Sequence, residues 1–439
     1  MISRRRFLGT TGAAGLALSG RKPADSPALA AESAQQLPPL RRPTGTPEAV
    51  ARDEAYWQRV AARYRVSSGY TNMEAGYFGM MAAPVLAAYH REIDRVNFES
   101  SYFARRTFPA EAEAARRRVA EYLRVKPTEI VITRGATEAL QRLIVQYNKV
   151  RAGDTVMYAD LDYNAMQFAM DSLAERRGAR VARFDLPEQA DRAGILAAYE
   201  RALAANPGVK LLLLTHLNNK NGLVIPVKEI AALARTRGAD VVVDAAHSFG
   251  QCDLGMADLG ADFVGLNLHK WLGAPVGAGV MYVREGRLGD LDRMLGDDGS
   301  LDRIECRLHT GTTNFATVLT IPAALDWHEA VGPAYKAARV RYLRNRWVEA
   351  ARRAPGVDVI TPDADDVSAA ISSFRIRGRT GRAENQAVAA ELLDRYRLFT
   401  VWRTGLSGGD CVRVTPTLYN TPADADRLAA ALGEIAARG

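Results

Sequence analysis

The 439-residue chain is 48% apolar and 25% charged, which excludes a disordered or fibrous protein and allows a large core shared between two lobes. Its net charge of +8 overstates the basicity of the folded part, because residues 1–31 hold Arg4, Arg5, Arg6, Arg21 and Lys22 against Asp25, about half of the excess. With no Lys/Arg run interleaved with aromatic residues, the remainder excludes nucleic acid as the main partner, and the scattered Cys252, Cys306 and Cys411 form neither a metal-spaced cluster nor a disulfide framework.

The N-terminus carries Ser3-Arg4-Arg5-Arg6-Phe7-Leu8, an apolar run from Gly9 to Leu18, and Ala28-Leu29-Ala30. This order reads as a twin-arginine export signal over residues 1–30, cleaved near Ala30, with a basic tail as the alternative. The expectation is a periplasmic protein delivered folded by the twin-arginine export machinery, a route that suits an enzyme loaded with a cytoplasmic cofactor. Residues 31–47, rich in Pro, Ala and Gln, read as a linker. No other stretch approaches the ~18 apolar residues of a membrane span.

Residues 48–84 form an N-terminal segment. Glu48 to Tyr64 predicts a helix, and Tyr70 to Gly79, with two glycines among aromatics, predicts a tight and specific backbone path. Helices follow over Pro84 to Glu99 and Pro109 to Leu123. From Glu129 the pattern changes to β-branched runs at Ile130 to Thr133, Thr155 to Tyr158, Arg180 to Phe184, Lys210 to Thr215, Asp240 to Asp244, Asp262 to Leu266 and Gly279 to Val283. They alternate with amphipathic stretches at Glu138 to Asn148, Ile195 to Ala205 and Val227 to Arg237. That alternation predicts an α/β domain over 85–320, a mostly parallel seven-stranded sheet with helices on both faces, whose ligands sit at the carboxyl ends of the strands. A long helix from Ile321 to Pro355-Gly356 then leads to a small α+β lobe, completing a domain over 321–439. Its expected strands lie near Val357 to Ile360, Ala370 to Arg377 and Cys411 to Val414, with helices at Ala383 to Tyr396 and Ala423 to Arg438.

The chemistry centres on Val241 to His247 and Gly265 to Trp271. One apolar strand delivers Asp244; the next delivers Lys270 beside His269. Pyridoxal phosphate (PLP) requires such a pair, an acid to keep the pyridine nitrogen protonated and an amine to hold the aldehyde as a Schiff base. An N-capping aspartate and a solvated loop lysine are the plain alternative. Thr133 to Ala139, where a strand turns into a helix at Gly135, offers a phosphate cradle of helix N–H groups and the Thr137 hydroxyl. Tyr163 follows the next strand, where a flat ring can stack on a cofactor, or fill a core face. His216 to Gly222 places Asn218 after another strand end, although turn chemistry alone also explains an Asn-rich loop.

Taken in order, Gly135-Ala136-Thr137, Tyr163, Asn218, Asp244-Ala245-Ala246-His247 and Asn267-Leu268-His269-Lys270 resemble the class V aminotransferase family, fold-type-I PLP enzymes that include cysteine desulfurases and isopenicillin N epimerases. The resemblance covers roughly residues 70 to 435. It implies that Lys270 forms the Schiff base and shuttles the Cα proton, that Asp244 pairs with the pyridinium, and that His247 flanks the phenolic edge of the ring. Tyr163 would stack on the ring, and Thr137, the backbone of Ala136, Asn267 and His269 would hold the phosphate. Thr312 matches a position that reaches the neighbouring subunit's phosphate, which implies a homodimer, and Arg413 matches the arginine that clamps the substrate carboxylate.

Leu398 to Asp410 lacks the mobile cysteine of the desulfurases, and Cys411 lies too close to Arg413 to replace it. The Asn72 to Gly79 opening and the Tyr419-Asn420-Thr421-Pro422 run look more like the isopenicillin N epimerase-like branch, and resemble periplasmic PLP enzymes that tailor the amino-acid side chain of pyoverdine siderophores. The expected activity is at the Cα or amino group of an amino acid, or of an amino-acid moiety in a peptide-like metabolite. Epimerisation, transamination and oxidative or decarboxylative tailoring all remain open, because they share their first step. Specificity is expected from Asn72 to Gly79, Tyr77 included, with Tyr102, Phe103, His309 and Trp402. Two other classes stand beside this one: a PLP-fold binding protein that has lost catalysis, and a metalloenzyme using His216, His247, His269 and His309. No His-x-x-x-His or Cys-x-x-Cys spacing supports a metal.

Overall fold

Successive side chains of the central strands pack alternately into two apolar layers. Leu212, Leu214, Val241, Val243, Val264 and Leu266 join one, and Leu211, Leu213, Val242 and Phe263 the other. Strands that are apolar on both faces must be covered on both, as the sequence pattern requires. The computed structural model describes residues 39–294, 302–308 and 311–438; the expected export signal, much of the expected linker and His309 lie outside the described residues.

The strands in chain order are β1 (Thr71–Asn72), β2 (Ile130–Thr133), β3 (Thr155–Ala159), β4 (Arg180–Phe184), β5 (Val209–Thr215), β6 (Asp240–Asp244), β7 (Phe263–Asn267), β8 (Gly279–Val283), β9 (Val357–Val359), β10 (Ser372–Ile376), β11 (Leu398–Phe399), β12 (Val401–Arg403) and β13 (Cys411–Val414). Seven of them form one sheet in the order β2-β8-β7-β6-β5-β3-β4. Only β8 runs against its neighbours, so the carboxyl ends of β2, β3, β5, β6 and β7 share one edge. This is the expected mostly parallel sheet. A separate four-stranded antiparallel sheet, β12-β13-β10-β9, carries the small lobe, covered by helices Arg382–Tyr396 and Pro422–Ala437.

Two predicted helices are each broken in two. Glu48 to Tyr64 resolves into Pro47–Ala51 and Glu54–Ala61, because the Asp53 side chain accepts the Tyr56 N–H at 3.1 Å and starts a second helix. The long helix past Ile321 is Phe315–Val331 followed by Pro333–Arg352. Proline at a first helical position lacks only an N–H that has no intrahelical partner there, so Pro333 opens the second helix without cost. Conversely, the helix expected to end at Glu99 runs over Ala83–Arg106, with a kink at Ser100.

The N-terminal segment reaches the active edge through a short β1–β11 pair, parallel, with Thr71 opposite Leu398 and Asn72 opposite Phe399. Beyond it Gly79 donates its N–H to the His269 carbonyl at 2.8 Å. Among the described residues no helix is long and apolar enough to cross a membrane.

Candidate active site

The shared edge opens into a cleft of about 1080 Å³ lined by Gly135, Ala136 and Thr137, by Tyr163, Thr215 and Asn219, by Asp244, His247, Asn267, His269 and Lys270, and by Tyr77, Trp402, Arg403 and Arg413. Asp244 ends β6 and is buried; its Oδ1 accepts the Ala246 N–H at 2.9 Å. Burial pushes its carboxyl pKa up, against the lowering influence of that N–H and of Lys270.

Lys270 lies three residues beyond β7, with Nζ 2.9 Å from His247 Nε2. Trp271 fixes the sense of that contact. Its indole N–H only donates, and it reaches His247 Nδ1 at 3.3 Å, so Nδ1 accepts and the ring proton sits on Nε2, directed at the lysine nitrogen. A neutral amine can accept it. Burial lowers the Lys270 pKa from the usual 10.5 to about 8, with Arg413 and Arg403 lowering it further and Asp244 opposing. Burial likewise holds His247 well below the ordinary imidazole value, with Lys270 as the next cause. With a pKa near 8 the amine passes readily between its charged and neutral forms, and it does so against an uncharged imidazole.

Along the upper edge, Gly135 leads into helix Ala136–Val145, whose buried Ala136, Ala139, Leu140, Leu143 and Ile144 seat it on the sheet. A Cβ at Gly135 would stand 3.1 Å from both Asn267 Oδ1 and His269 Cε1, so the three positions close on one another as a cradle. His269 Nδ1 pairs with the Ala278 carbonyl at 2.7 Å, which leaves its Nε2 for a ligand. The Ala136 N–H, expected to hold a phosphate, is instead taken by Asn267 Oδ1 at 2.7 Å; the Thr137 and Glu138 N–H groups remain without an intrahelical partner by helix geometry.

Other expectations are redirected. Asn218 is buried away from the cleft: its amide donates to the Leu161 carbonyl and accepts from the N–H of Lys220 at 2.7 Å. Asn219 takes the cleft position, and its Oδ1 is a buried oxygen without a hydrogen-bond partner. Asn72 is spent on structure, donating to Tyr419 Oη at 3.2 Å and accepting the Glu74 N–H at 2.8 Å. Thr312 is exposed and outside the cleft of its own chain; Tyr102 is exposed and Phe103 buried against Phe108, neither facing the cleft. Tyr77 and Tyr163 do line it, both partly open to solvent. Cys411 is fully buried, its thiol 3.7 Å from the Lys220 carbonyl, and burial pushes its pKa up to about 12, the opposite of a sulfur relay. Among the described residues no group of three His, Cys, Asp or Glu is placed to hold a metal ion.

An acid and an amine of lowered pKa at strand ends, a helix N-terminus with a glycine cradle, and an orphaned amide oxygen form a donor set that fits PLP. The comparisons with known proteins agree. The family model for aminotransferase class-V matches residues 83–428. The chain belongs to the class V aminotransferase family. It is 27% identical to isopenicillin N epimerase of Streptomyces clavuligerus over 402 residues, 87% of this chain and 98% of that protein. Isopenicillin N epimerase of Amycolatopsis lactamdurans is 28% identical, over 86% of this chain and 98% of its own. Among solved structures, a C-DES variant with glycine covalently linked to its PLP cofactor shares the fold at a TM-score of 0.73 and 21% identity, covering 84% of this chain and 97% of that one. Class V aminotransferases are PLP-dependent enzymes, and this chain is one of them.

Two predictions follow from the lysine's setting. Only the neutral amine attacks an aldehyde, so the rate at which apoprotein gains visible absorbance on mixing with PLP should rise about tenfold per pH unit below pH 8 and level off above it. Stopped-flow spectra across pH 6 to 10 check this; a rate still climbing to pH 10 would mean an ordinary lysine. Second, a Cβ at Gly79 would lie 1.8 Å from the Lys270 carbonyl oxygen, backbone against backbone. Gly79→Ala should therefore cost about 1–3 kcal/mol of stability or more and, by displacing the Lys270 loop, slow cofactor uptake. Chemical denaturation and the same mixing experiment measure both.

Proposed function

We propose that the chain is a periplasmic PLP-dependent enzyme acting at the Cα or amino group of an amino acid, or of an amino-acid moiety in a peptide-like metabolite, in the manner of the isopenicillin N epimerases. The observation that carries this is the Lys270 amine, its pKa lowered to about 8, held against His247 in the cleft that Asp244 also lines. PLP, when bound, supplies an aldehyde that condenses with amines and a ring that accepts electron density from a bond broken at Cα. Lys270 would hold the aldehyde carbon, and its Nζ would be the base placed to take the Cα proton. His247 would steady that nitrogen, and Asp244 would keep a proton on the ring nitrogen. Thr137, His269 and the helix N-terminus would hold the phosphate.

Three features support the setting. The twin-arginine motif and Ala28-Leu29-Ala30 support export to the periplasm. A homodimer is supported by the position of Thr312 outside its own cleft and by the exposed Ile93, Phe98 and Tyr102 of helix Ala83–Arg106. The filled, cysteine-free run before Cys411 supports a reaction other than desulfuration.

The test is incubation of the holoprotein in deuterium oxide with free amino acids and with short peptides carrying them at the N-terminus. Epimerisation puts deuterium on Cα with the amino group retained; transamination moves the amino group to the cofactor; decarboxylative tailoring releases carbon dioxide. A holoprotein that does none of these to any of the compounds defeats the proposal in favour of a binding protein.

A further inference from the structure

Arg413 carries the position expected to clamp a substrate carboxylate, yet it already holds one. Its Nη2 donates to Glu74 Oε1 at 2.5 Å and its Nη1 to the Asn219 carbonyl at 2.9 Å, with the side chain 1% exposed. Gly76 lies across the guanidinium so closely that a Cβ there would stand 2.5 Å from Nη2. Glu74 is equally enclosed: its side chain is 4% exposed, and Thr415 Oγ1 lies 3.4 Å from its second oxygen. A buried arginine and a buried carboxylate in this geometry neutralise each other, and removing either leaves the other uncompensated.

A second guanidinium stands beside them. In the β12–β13 pairing Val401 is opposite Arg413 and Arg403 opposite Cys411, so Arg403 and Arg413 point to the same face of neighbouring strands. Arg403 Nη2 is 3.7 Å from the Glu74 oxygen that Arg413 binds, its Nη1 donates to the Trp402 carbonyl at 3.2 Å, its side chain is 26% exposed, and its Nε, like that of Arg413, is a buried nitrogen with no hydrogen-bond partner. The wall therefore holds two cations and one anion. The other cations of the cleft are engaged: Arg134 with Glu138, Lys220 with the Asp160 and Gly405 carbonyls, and Lys270 with His247. Arg142 sits seven residues along its helix from Gly135, roughly 10 Å by helix rise. Arg413 and Arg403 both lie close enough to Lys270 to lower its pKa, and of the two Arg403 is the one open to the cleft, 26% exposed against 1%.

We propose that Arg403 makes the direct contact with the substrate carboxylate, and that Glu74 is a resident carboxylate which occupies Arg413 and limits the cleft to substrates presenting one carboxylate there. This rests on the cleft being the amino-acid site of a PLP enzyme, as proposed above. Arg413 is then a positioning residue that sets Glu74, and through it Arg403.

The test uses the PLP-loaded protein and propionate, a monocarboxylate that cannot form an imine, with affinity read by calorimetry. Arg403→Gln should weaken propionate at least about tenfold, and Arg403→Lys, which keeps the charge without the fork, should weaken it less. Glu74→Gln should tighten propionate about tenfold, because it frees the Arg413 charge for an incoming anion; a merely structural glutamate would not move affinity in that direction. Binding by Arg403→Gln equal to that of the parent protein, or weaker binding by Glu74→Gln, overturns the proposal. Parent protein that takes up PLP but binds no propionate overturns it alone; parent protein that takes up no PLP overturns the assigned function with it.

Discussion

Lys270→Ala is expected to purify colourless from cells that yield a yellow parent protein, to stay colourless on incubation with PLP, and to lose activity at Cα by at least about 10⁴-fold. The size of the loss follows from two roles falling on one nitrogen, covalent tether and proton carrier. Among the described residues three lysines have pKa values lowered by burial, and the structure separates them. Lys336 is lowered to about 7 by burial, but it lies outside the cleft and donates to the Trp271 carbonyl. Lys220 lines the cleft, yet its nitrogen donates to the carbonyls of Asp160 and Gly405, which favour the ammonium and offer no donor to the lone pair of a neutral amine. Lys270 alone of the three faces a donor, His247 Nε2–H. Removing its side chain takes a desolvated amine out of a cleft wall but also takes from buried Asp244 the charge that lowers its pKa, two opposed effects, so the variant should melt within a few degrees of the parent apoprotein. Borohydride reduction followed by peptide mass spectrometry checks the assignment: the cofactor mass belongs on the Lys270 peptide, and its appearance on the Lys220 or Lys336 peptide would refute it.

Much of this architecture is legible in the chain. Runs such as Val241 to Val243 are apolar at every position because both faces of the sheet are covered, and a continuous β-branched run ending in a single acid marks a strand with its functional end. The missed elements are those with no periodicity to read. β1 and β11 are two residues each and exist through their mutual pairing across more than three hundred residues of chain. The breaks at Asp53 and Pro333 interrupt patterns whose apolar spacing continues past them, so the period outvoted the capping signals.

The site divides the same way. Asp244, His247 and Lys270 are fixed by strand ends and short turns, which a sequence expresses locally. Asn218 and Asn219 differ by one position where the chain leaves β5; adjacent side chains there point to opposite sides, and nothing in two identical residues says which one faces the cleft. Arg413 is visible as a residue type in a strand. Its partner Glu74 lies 339 positions away and becomes visible only when the N-terminal segment is laid against β13, through the bridge between Glu74 and Thr415. The Tyr70 to Gly79 stretch announces a special backbone path, but not that its buried glutamate is the residue that matters.

Asp244→Asn should lower turnover by about 10²–10⁴-fold while leaving the apoprotein at least as stable as the parent. The two effects have one cause of opposite consequence. In the apoprotein Asp244 is a buried carboxylate whose pKa is raised above its unfolded value by desolvation. A raised carboxylate pKa means that the folded state binds more protons than the unfolded one between the two values. Stability therefore falls as pH rises through that window, and at neutral pH the charged form is a net cost. Asparagine removes the charge, keeps the shape, and retains an oxygen for the Ala246 N–H that Asp244 Oδ1 now accepts at 2.9 Å. The apoprotein melting temperature should hold or rise. With PLP present the order reverses, because a neutral amide offers the ring nitrogen no counter-charge. The cofactor then binds less tightly and contributes less to the melting temperature at a fixed concentration, since stabilisation by a ligand depends on its concentration relative to Kd. Paired melting curves, with and without PLP, for parent and variant resolve the two effects. A variant that is destabilised without cofactor yet gains as much from PLP as the parent would make Asp244 a structural residue, a strand end that holds Ala246 and nothing more.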